Sequence, residues 1–246
     1  SGQFSPGSTF KMIVLLAALE KGVIRPENRI HCGGDLKLGN SNFHCWKKNG
    51  HGWMDAFNAL MQSCDVYFYD IALRTGIDHI GEMAQRFGFG DTLGIDLPNE
   101  KGGLLPSREW KKKALNSSWH RGETLLSGIG QGYLLATPLQ LVVMAARLAN
   151  GGTSVIPRLT HPVLSLNADV VNHDPSHTSF SDPSALHMKS LGITPSHLEL
   201  VREAMEGVTA NPLGTAFKSR IRKLGRQMAG KTGTGRPLQQ ICSNSV

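Results

Sequence analysis

Three short groups of residues carry side chains that together can perform acyl transfer through a serine ester: Ser8 with Lys11, Ser63 with Asp65, and Lys231 with Thr232, Gly233 and Thr234. A serine hydroxyl is a weak nucleophile until a base takes its proton, and a lysine whose charge is disfavoured by burial is such a base. Three positions separate Ser8 from Lys11, so on a helix both project from one face and the amine can reach the hydroxyl. A helix N-terminus adds unpaired N–H groups and partial positive charge where an oxyanion would form. Near the other end of the chain, a lysine flanked by two hydroxyls suits a substrate carboxylate, and extended backbone there leaves N–H groups for a peptide. Ser63-Cys64-Asp65 supplies another hydroxyl and a carboxylate. Taken singly, the groups read as a helix start with a surface lysine, an ordinary cap and a basic surface strand. Their order along one chain points to one site.

The elements that must position these groups follow from the surrounding pattern. Pro6-Gly7 makes a turn, and Phe10 to Leu19 is apolar on nearly every side, which predicts a buried helix beginning at about Ser8. A helical segment from about Met54 to Gln62 places Ser63 and Asp65 at a helix-to-helix corner. Gln227 to Gly230 reads as a strand leading into Lys231, with Gly233 permitting close backbone approach to a ligand. Thr137-Pro138 starts a helix that stops at Gly151-Gly152, and Thr194-Pro195 starts another that runs to about Gly207. Residues 161–190, rich in Pro, Ser, His and Asp, read as a surface loop or hairpin. The chain offers few strands and no internal repeat.

Composition sets the frame. With 246 residues, 40% hydrophobic and 18% charged, the chain can bury one substantial core with a satellite lobe. No run reaches the roughly 20 apolar residues of a bilayer span. The formal net charge of +7 raises nucleic acid as a partner. Its dense basic runs, Lys111-Lys112-Lys113 and Lys218 to Arg226, lack interleaved aromatics and read as solvated faces, so no nucleic-acid partner is expected. Anionic cell wall or a bilayer surface suits the charge better than DNA.

Ser-x-x-Lys, a Ser-x-Asn-type triplet and Lys-Thr-Gly together mark penicillin-binding proteins and class A β-lactamases. The chain resembles the class B penicillin-binding proteins, in their penicillin-binding protein 2 branch. The resemblance rests on Ser5-Pro6-Gly7-Ser8-Thr9-Phe10-Lys11-Met12, on Phe43-His44-Cys45-Trp46-Lys47-Lys48 with Gly50-His51-Gly52, and on Gly128-Ile129-Gly130-Gln131-Gly132-Tyr133 and Gly214-Thr215-Ala216. It implies an α+β penicillin-binding/serine β-lactamase-like transpeptidase domain, a helical subdomain with an antiparallel sheet. It also implies a peptidoglycan D,D-transpeptidase of cell elongation that crosslinks stem peptides and is trapped by β-lactams. By resemblance Ser8 is the nucleophile, Lys11 its general base, Ser63 the proton relay to the leaving amine, and Lys231, Thr232, Gly233 and Thr234 the carboxylate grip. The N–H groups of Ser8 and Thr234 would form the oxyanion hole. Asp65 stands where most of the superfamily has Asn; its charge is expected to raise the pKa of both lysines unless another partner takes it. The resemblance further implies no organic cofactor, work at the periplasmic face of the bacterial inner membrane, a glycosyltransferase partner, and a membrane anchor upstream of residue 1. A class A β-lactamase would need a Glu-x-x-Leu-Asn loop, and the nearest approach, Glu123 to Ser127, lacks the asparagine.

Cys32, Cys45 and Cys64 lie with His51 in the segment leading into the second motif. Three thiolates and an imidazole satisfy a tetrahedral zinc ion, which would be structural. A Cys32–Cys45 disulfide with Cys64 free, or free thiols throughout, are the alternatives in an oxidising compartment, and His44 is an alternative ligand to His51. Residues 1–234 are expected to form a partial transpeptidase domain with an incomplete sheet, and 235–246 a tail unlike the family's continuation. On that expectation activity is weak or absent, and an inactive remnant of such an enzyme is the alternative reading.

Overall fold

The computed structural model describes residues 2–95, 97–159, 189–223, 225–234 and 236–237. Its centre is helix α1 (Lys11–Glu20), in which every residue from Lys11 to Leu19 is buried. An apolar run without a polar stripe has no face for water, so neighbours must cover it on all sides. Helices α3 (Asp65–Thr75), α4 (Ile77–Arg86) and α8 (Pro195–Ala210) do so, while α2 (Ala56–Met61) lies on α8 and α6 (Arg121–Gly128) on α3. Phe10 meets Phe89 edge to face with ring centres 5.4 Å apart. Two further helices, α5 (Arg108–Leu115) and α7 (Pro138–Ala149), complete the helical part.

Local chemistry sets the helix ends. Asp55 accepts the Asn58 N–H to open α2, and Ser107 accepts the Trp110 N–H to open α5. Thr137 and Gln140 cap each other's backbone at α7, with Pro138 in the first turn. The α7 and α8 starts agree with the Thr-Pro signals in the sequence.

Strands are short and antiparallel. β1 (Phe4–Ser5) pairs with β6 (Arg236–Pro237), joining the two ends of the described chain. β2 (Ile30–Cys32) pairs with β5 (Gly52–Met54), and nested between them β3 (Asp35–Leu38) pairs with β4 (Ser41–His44). This double hairpin carries Cys32, Cys45 and His51 towards α3. The α+β class is thus helices with small antiparallel sheets. Among the described residues no helix is long and apolar enough to cross a membrane.

Three expectations change. The segment that carries Ser8 is a 3-10 turn (Gly7–Phe10) running into α1, not an α-helix from Ser8. The helix expected from about Met54 is the shorter α2, because Met54 belongs to β5 and Asp55 forms the cap. Residues 227–230 form no strand; the Gly230 N–H donates to Met205 O at 3.0 Å and the Thr209 hydroxyl donates to Met228 O, so α8 holds this segment instead of a ladder. The expected loop at 161–190, except 189 and 190, and the expected tail at 235–246, except Arg236–Pro237, lie outside the described residues.

Candidate active site

Ser63 is the hub of the site. It occupies the corner between α2 and α3 with φ 55°, one of three non-glycine residues with positive φ among those described. A positive φ is uncommon for a residue with a side chain and marks a position that its neighbours hold in place. Lys11 donates from Nζ to Ser63 O at 2.9 Å, to Ser63 Oγ at 3.2 Å and to Asp65 Oδ1 at 2.7 Å. Lys231 approaches from the other side and donates to Ser63 Oγ at 2.8 Å and to Thr232 O at 3.0 Å. Two amines, a hydroxyl and a carboxylate separated by 220 positions in sequence (231 minus 11) thus form one hydrogen-bonded set.

The turn that carries Ser8 is clamped by backbone. Gly7 N–H donates to Gly130 O at 2.9 Å, and the Ser5 hydroxyl donates to the same oxygen at 2.6 Å. Gly7 (φ 57°) also lies against the backbone of Thr234, where a Cβ would come within 2.5 Å of Thr234 O. At Gly233 an added Cβ would stand 2.8 Å from Thr9 Cγ2 and 3.2 Å from Pro6 O. The close approach foreseen for Gly233 is therefore to the serine turn itself, which brings residues 232–234 beside Ser8.

A cleft of about 680 Å³ opens over this arrangement, lined by Ser8, Ser63, Asp65, Thr232, Gly233 and Thr234 among others. All eight residues singled out for catalysis or carboxylate binding are at this cleft or bonded to Ser63 at its floor. One detail differs from the expectation of a Ser8–Lys11 contact. Lys11 Nζ is turned to Ser63 and Asp65, and Ser8 Oγ makes no hydrogen bond among the described residues.

Burial lowers the pKa of both amines. Lys11 is fully buried, and burial pushes its pKa below the ordinary lysine value despite the attraction of Asp65. Lys231 is lowered to about 7, first by burial and then by the charge of Lys11, with Asp65 opposing. The raising influence expected of Asp65 is present at both lysines, yet burial outweighs it. Asp65 is also shared, since Oδ2 accepts the Trp46 backbone N–H at 2.8 Å.

Residues without a sequence-derived role also line the cleft, among them Trp46, Tyr69, Gln131 and Thr215, together with His44, the alternative metal ligand. The Thr215 hydroxyl lies 2.8 Å from that of Thr232. Spacing offered no signal for Thr215; for Trp46 the hint was an aromatic between a candidate metal ligand and two lysines.

Behind the cleft, Cys32, Cys45, His51 and Cys64 converge, with their candidate ligand atoms all within 4.8 Å of one another. The Cys32, Cys45 and Cys64 thiols are free, and His51 instead of His44 completes the group. The Cys45 thiol is held well below its ordinary value, first by the hydrogen bond from Cys64, with that from His51 adding to it and burial opposing. Cys64, the donor in that pair and itself buried, is pushed up.

Comparison with known proteins places this geometry. The family model for the penicillin binding protein transpeptidase domain matches residues 1–245. The chain is 37% identical over 225 residues to the peptidoglycan D,D-transpeptidase MrdA of Salmonella typhimurium, covering 88% of this chain and 34% of that protein. It is 36% identical over 236 residues to MrdA of Acinetobacter baumannii, covering 95% and 33%. Among solved structures it is similar to Pseudomonas aeruginosa PBP2 in complex with WCK 5153 (TM-score 0.80, 38% identity, 94% of this chain and 50% of that one). It is also similar to Helicobacter pylori PBP2 in complex with MreC (TM-score 0.78, 34% identity, 95% and 40%). The chain spans about a third of the length of the curated relatives it matches. With its three motifs gathered at one cleft and the family match running over nearly all of its length, the chain belongs to the penicillin-binding protein transpeptidase domain family.

Proposed function

We propose that this chain carries the acyl-transfer chemistry of a peptidoglycan D,D-transpeptidase, acting on D-alanyl-D-alanine stem peptides and acylated by β-lactams. The single observation that carries the reading is Ser63 Oγ held between Lys11 and Lys231 at the floor of a cleft lined by Ser8 and residues 232–234. Ser8 Oγ attacks the penultimate carbonyl carbon, and its proton passes to the Lys11 amine, which burial predisposes to accept it. The N–H groups of Ser8 and Thr234 hold the oxyanion, while Lys231 with Thr232 and Thr234 grips the terminal carboxylate. As the tetrahedral intermediate collapses, the C–N bond breaks and the leaving D-alanine takes a proton from Ser63 Oγ, which Lys11 replaces. An amine of a second stem peptide then attacks the Ser8 ester, forms the crosslink and frees Ser8. Asp65 orients Lys11 throughout and sets which acceptor its protons face.

The residues behind the cleft suit a structural zinc ion. A tetrahedral zinc with S and N ligands at ordinary lengths places S and N about 3.6 Å apart. His51 Nδ1 lies 3.6 Å from Cys32 Sγ and 3.5 Å from Cys45 Sγ. Bound there, zinc would tie the double hairpin to the start of α3 and so fix the corner at Ser63; the acyl transfer itself takes no organic cofactor. The proposed setting is the periplasmic face of the bacterial inner membrane, with a glycosyltransferase and a protein like the MreC seen with the Helicobacter pylori relative as partners.

The test is a fluorescent penicillin followed by peptide mapping. A covalent adduct on Ser8, lost in Ser8→Ala, is expected. An adduct that survives Ser8→Ala, or no adduct above that background, would sink the reading.

A further inference from the structure

Trp46 stands apart from the residues whose roles the motifs explain. The residue is 58% exposed, on the cleft wall, where an indole gains little from burial. Yet both of its N–H groups are spent on the catalytic corner. The indole Nε1–H donates to Ser63 O at 3.0 Å and to Gln62 O at 3.2 Å. The backbone N–H donates to Asp65 Oδ2 at 2.8 Å. The ring is steadied from behind by His51, with ring centres 5.3 Å apart.

Ser63 needs such support. A serine at φ 55° is in a conformation that an L side chain disfavours, and it persists only where neighbours fix it. Its carbonyl has two donors, Lys11 Nζ and Trp46 Nε1. During turnover Lys11 must change protonation state and redistribute its protons, whereas the indole N–H is permanent. Trp46 is then the fixed donor that keeps the carbonyl aimed while the lysine works.

We infer that Trp46 is a positioning residue: its indole N–H holds Ser63 in the left-handed conformation that sets Ser63 Oγ between Lys11 and Lys231. This rests on the transpeptidase reading for its kinetic consequence. Its structural consequence is independent of that reading.

The experiment compares the 246-residue chain with Trp46→Phe, which keeps a ring on the cleft wall and against His51 but removes the donor. Stopped-flow acylation by a fluorescent penicillin separates the binding constant from the acylation rate constant. The expected result is an acylation rate constant lower by roughly tenfold, the loss of one hydrogen bond, with binding changed less than twofold. In parallel, hydrogen–deuterium exchange of the Ser63 and Cys64 amides, which donate to Leu60 O and Ala59 O, should be faster in Trp46→Phe. Weaker binding with an unchanged acylation rate would make Trp46 a substrate contact and overturn the inference, as would equal acylation rates. Unchanged exchange overturns it as well. Should the wild-type chain not acylate at all, the transpeptidase reading fails while the exchange measurement still decides the role of Trp46.

Discussion

Replacing Lys231 by Met should make the protein more stable at acidic pH while removing its hold on a carboxylate. Folding lowers the Lys231 pKa from 10.5 to about 7. Between those two values the unfolded chain holds a proton that the folded one releases, so stability rises with pH through that window and is lowest at and below pH 7. The full difference, 10.5 minus 7 at about 1.36 kcal/mol per unit, sets an upper bound of about 5 kcal/mol. Lys231 is only partly buried, and solvent screening discounts that bound, so about 2 kcal/mol is the expected cost of carrying it protonated. Methionine keeps much of the stem's packing without a charge to desolvate, and Ser63 Oγ retains Lys11 as a donor. For a chain of this size the gain corresponds to about 4–8 °C in Tm. Thermal melts of both proteins at pH 6, 7.5 and 9 should show the advantage of Lys231→Met greatest at pH 6 and shrinking towards pH 9. Loss of a charge-assisted bond to the ligand should at the same time weaken penicillin binding by about 10- to 100-fold. A variant less stable at pH 6, or a difference that does not vary with pH, would refute the reasoning.

Three more outcomes are expected. Because a carboxylate needs Lys231 as the cation, the penicillin binding constant should be flat below pH 7 and weaken by up to about tenfold per unit above it; binding that tightens from pH 7 to 9 in stopped-flow acylation would contradict that assignment. Gly128→Ala puts a Cβ 2.6 Å from that of Ala72 and 3.1 Å from Phe68 O, where α6 crosses α3, and should cost about 1–3 kcal/mol by urea unfolding, with Ala72→Gly recovering part of it. Stripping zinc with a chelator should lower Tm by about 5–10 °C relative to protein in hundredfold excess of free zinc over its Kd, and metal analysis should return one zinc per chain with three thiols protected from modification.

The side chains of the site were legible in the sequence because each sits in a local pattern: Ser8 and Lys11 three apart before an apolar run, Ser63 at the end of a helical segment, Lys231 before Thr-Gly-Thr. Their mutual geometry was not. Ser8 and Lys11 share a turn, as spacing requires, but the Lys11 amine faces Asp65, 54 positions away (65 minus 11), because a cation buried this deeply turns to the nearest carboxylate and carbonyl. The same burial reverses the electrostatic expectation. Charge counting places a carboxylate beside two lysines and raises both, whereas the fold removes the water that makes such counting adequate, and both are lowered. Residues 227–230 failed as a strand because extended backbone needs a partner ladder to be one, and this stretch instead bonds to the carbonyl of Met205 and the Thr209 hydroxyl on α8. The cysteine cluster was legible as a composition, but the choice of His51 over His44 came from the pairing of Cys32 with Gly52, a register that sets residue 51 beside the thiols. Trp46 shows the limit most clearly. Its contribution lies in two N–H groups directed at residues 16 to 19 positions ahead (62 and 65 minus 46), and no periodicity or motif encodes where an indole on a loop will point. What decides reactivity here is which acceptor each buried proton faces, and that is settled by a left-handed serine whose neighbours in space are remote in sequence.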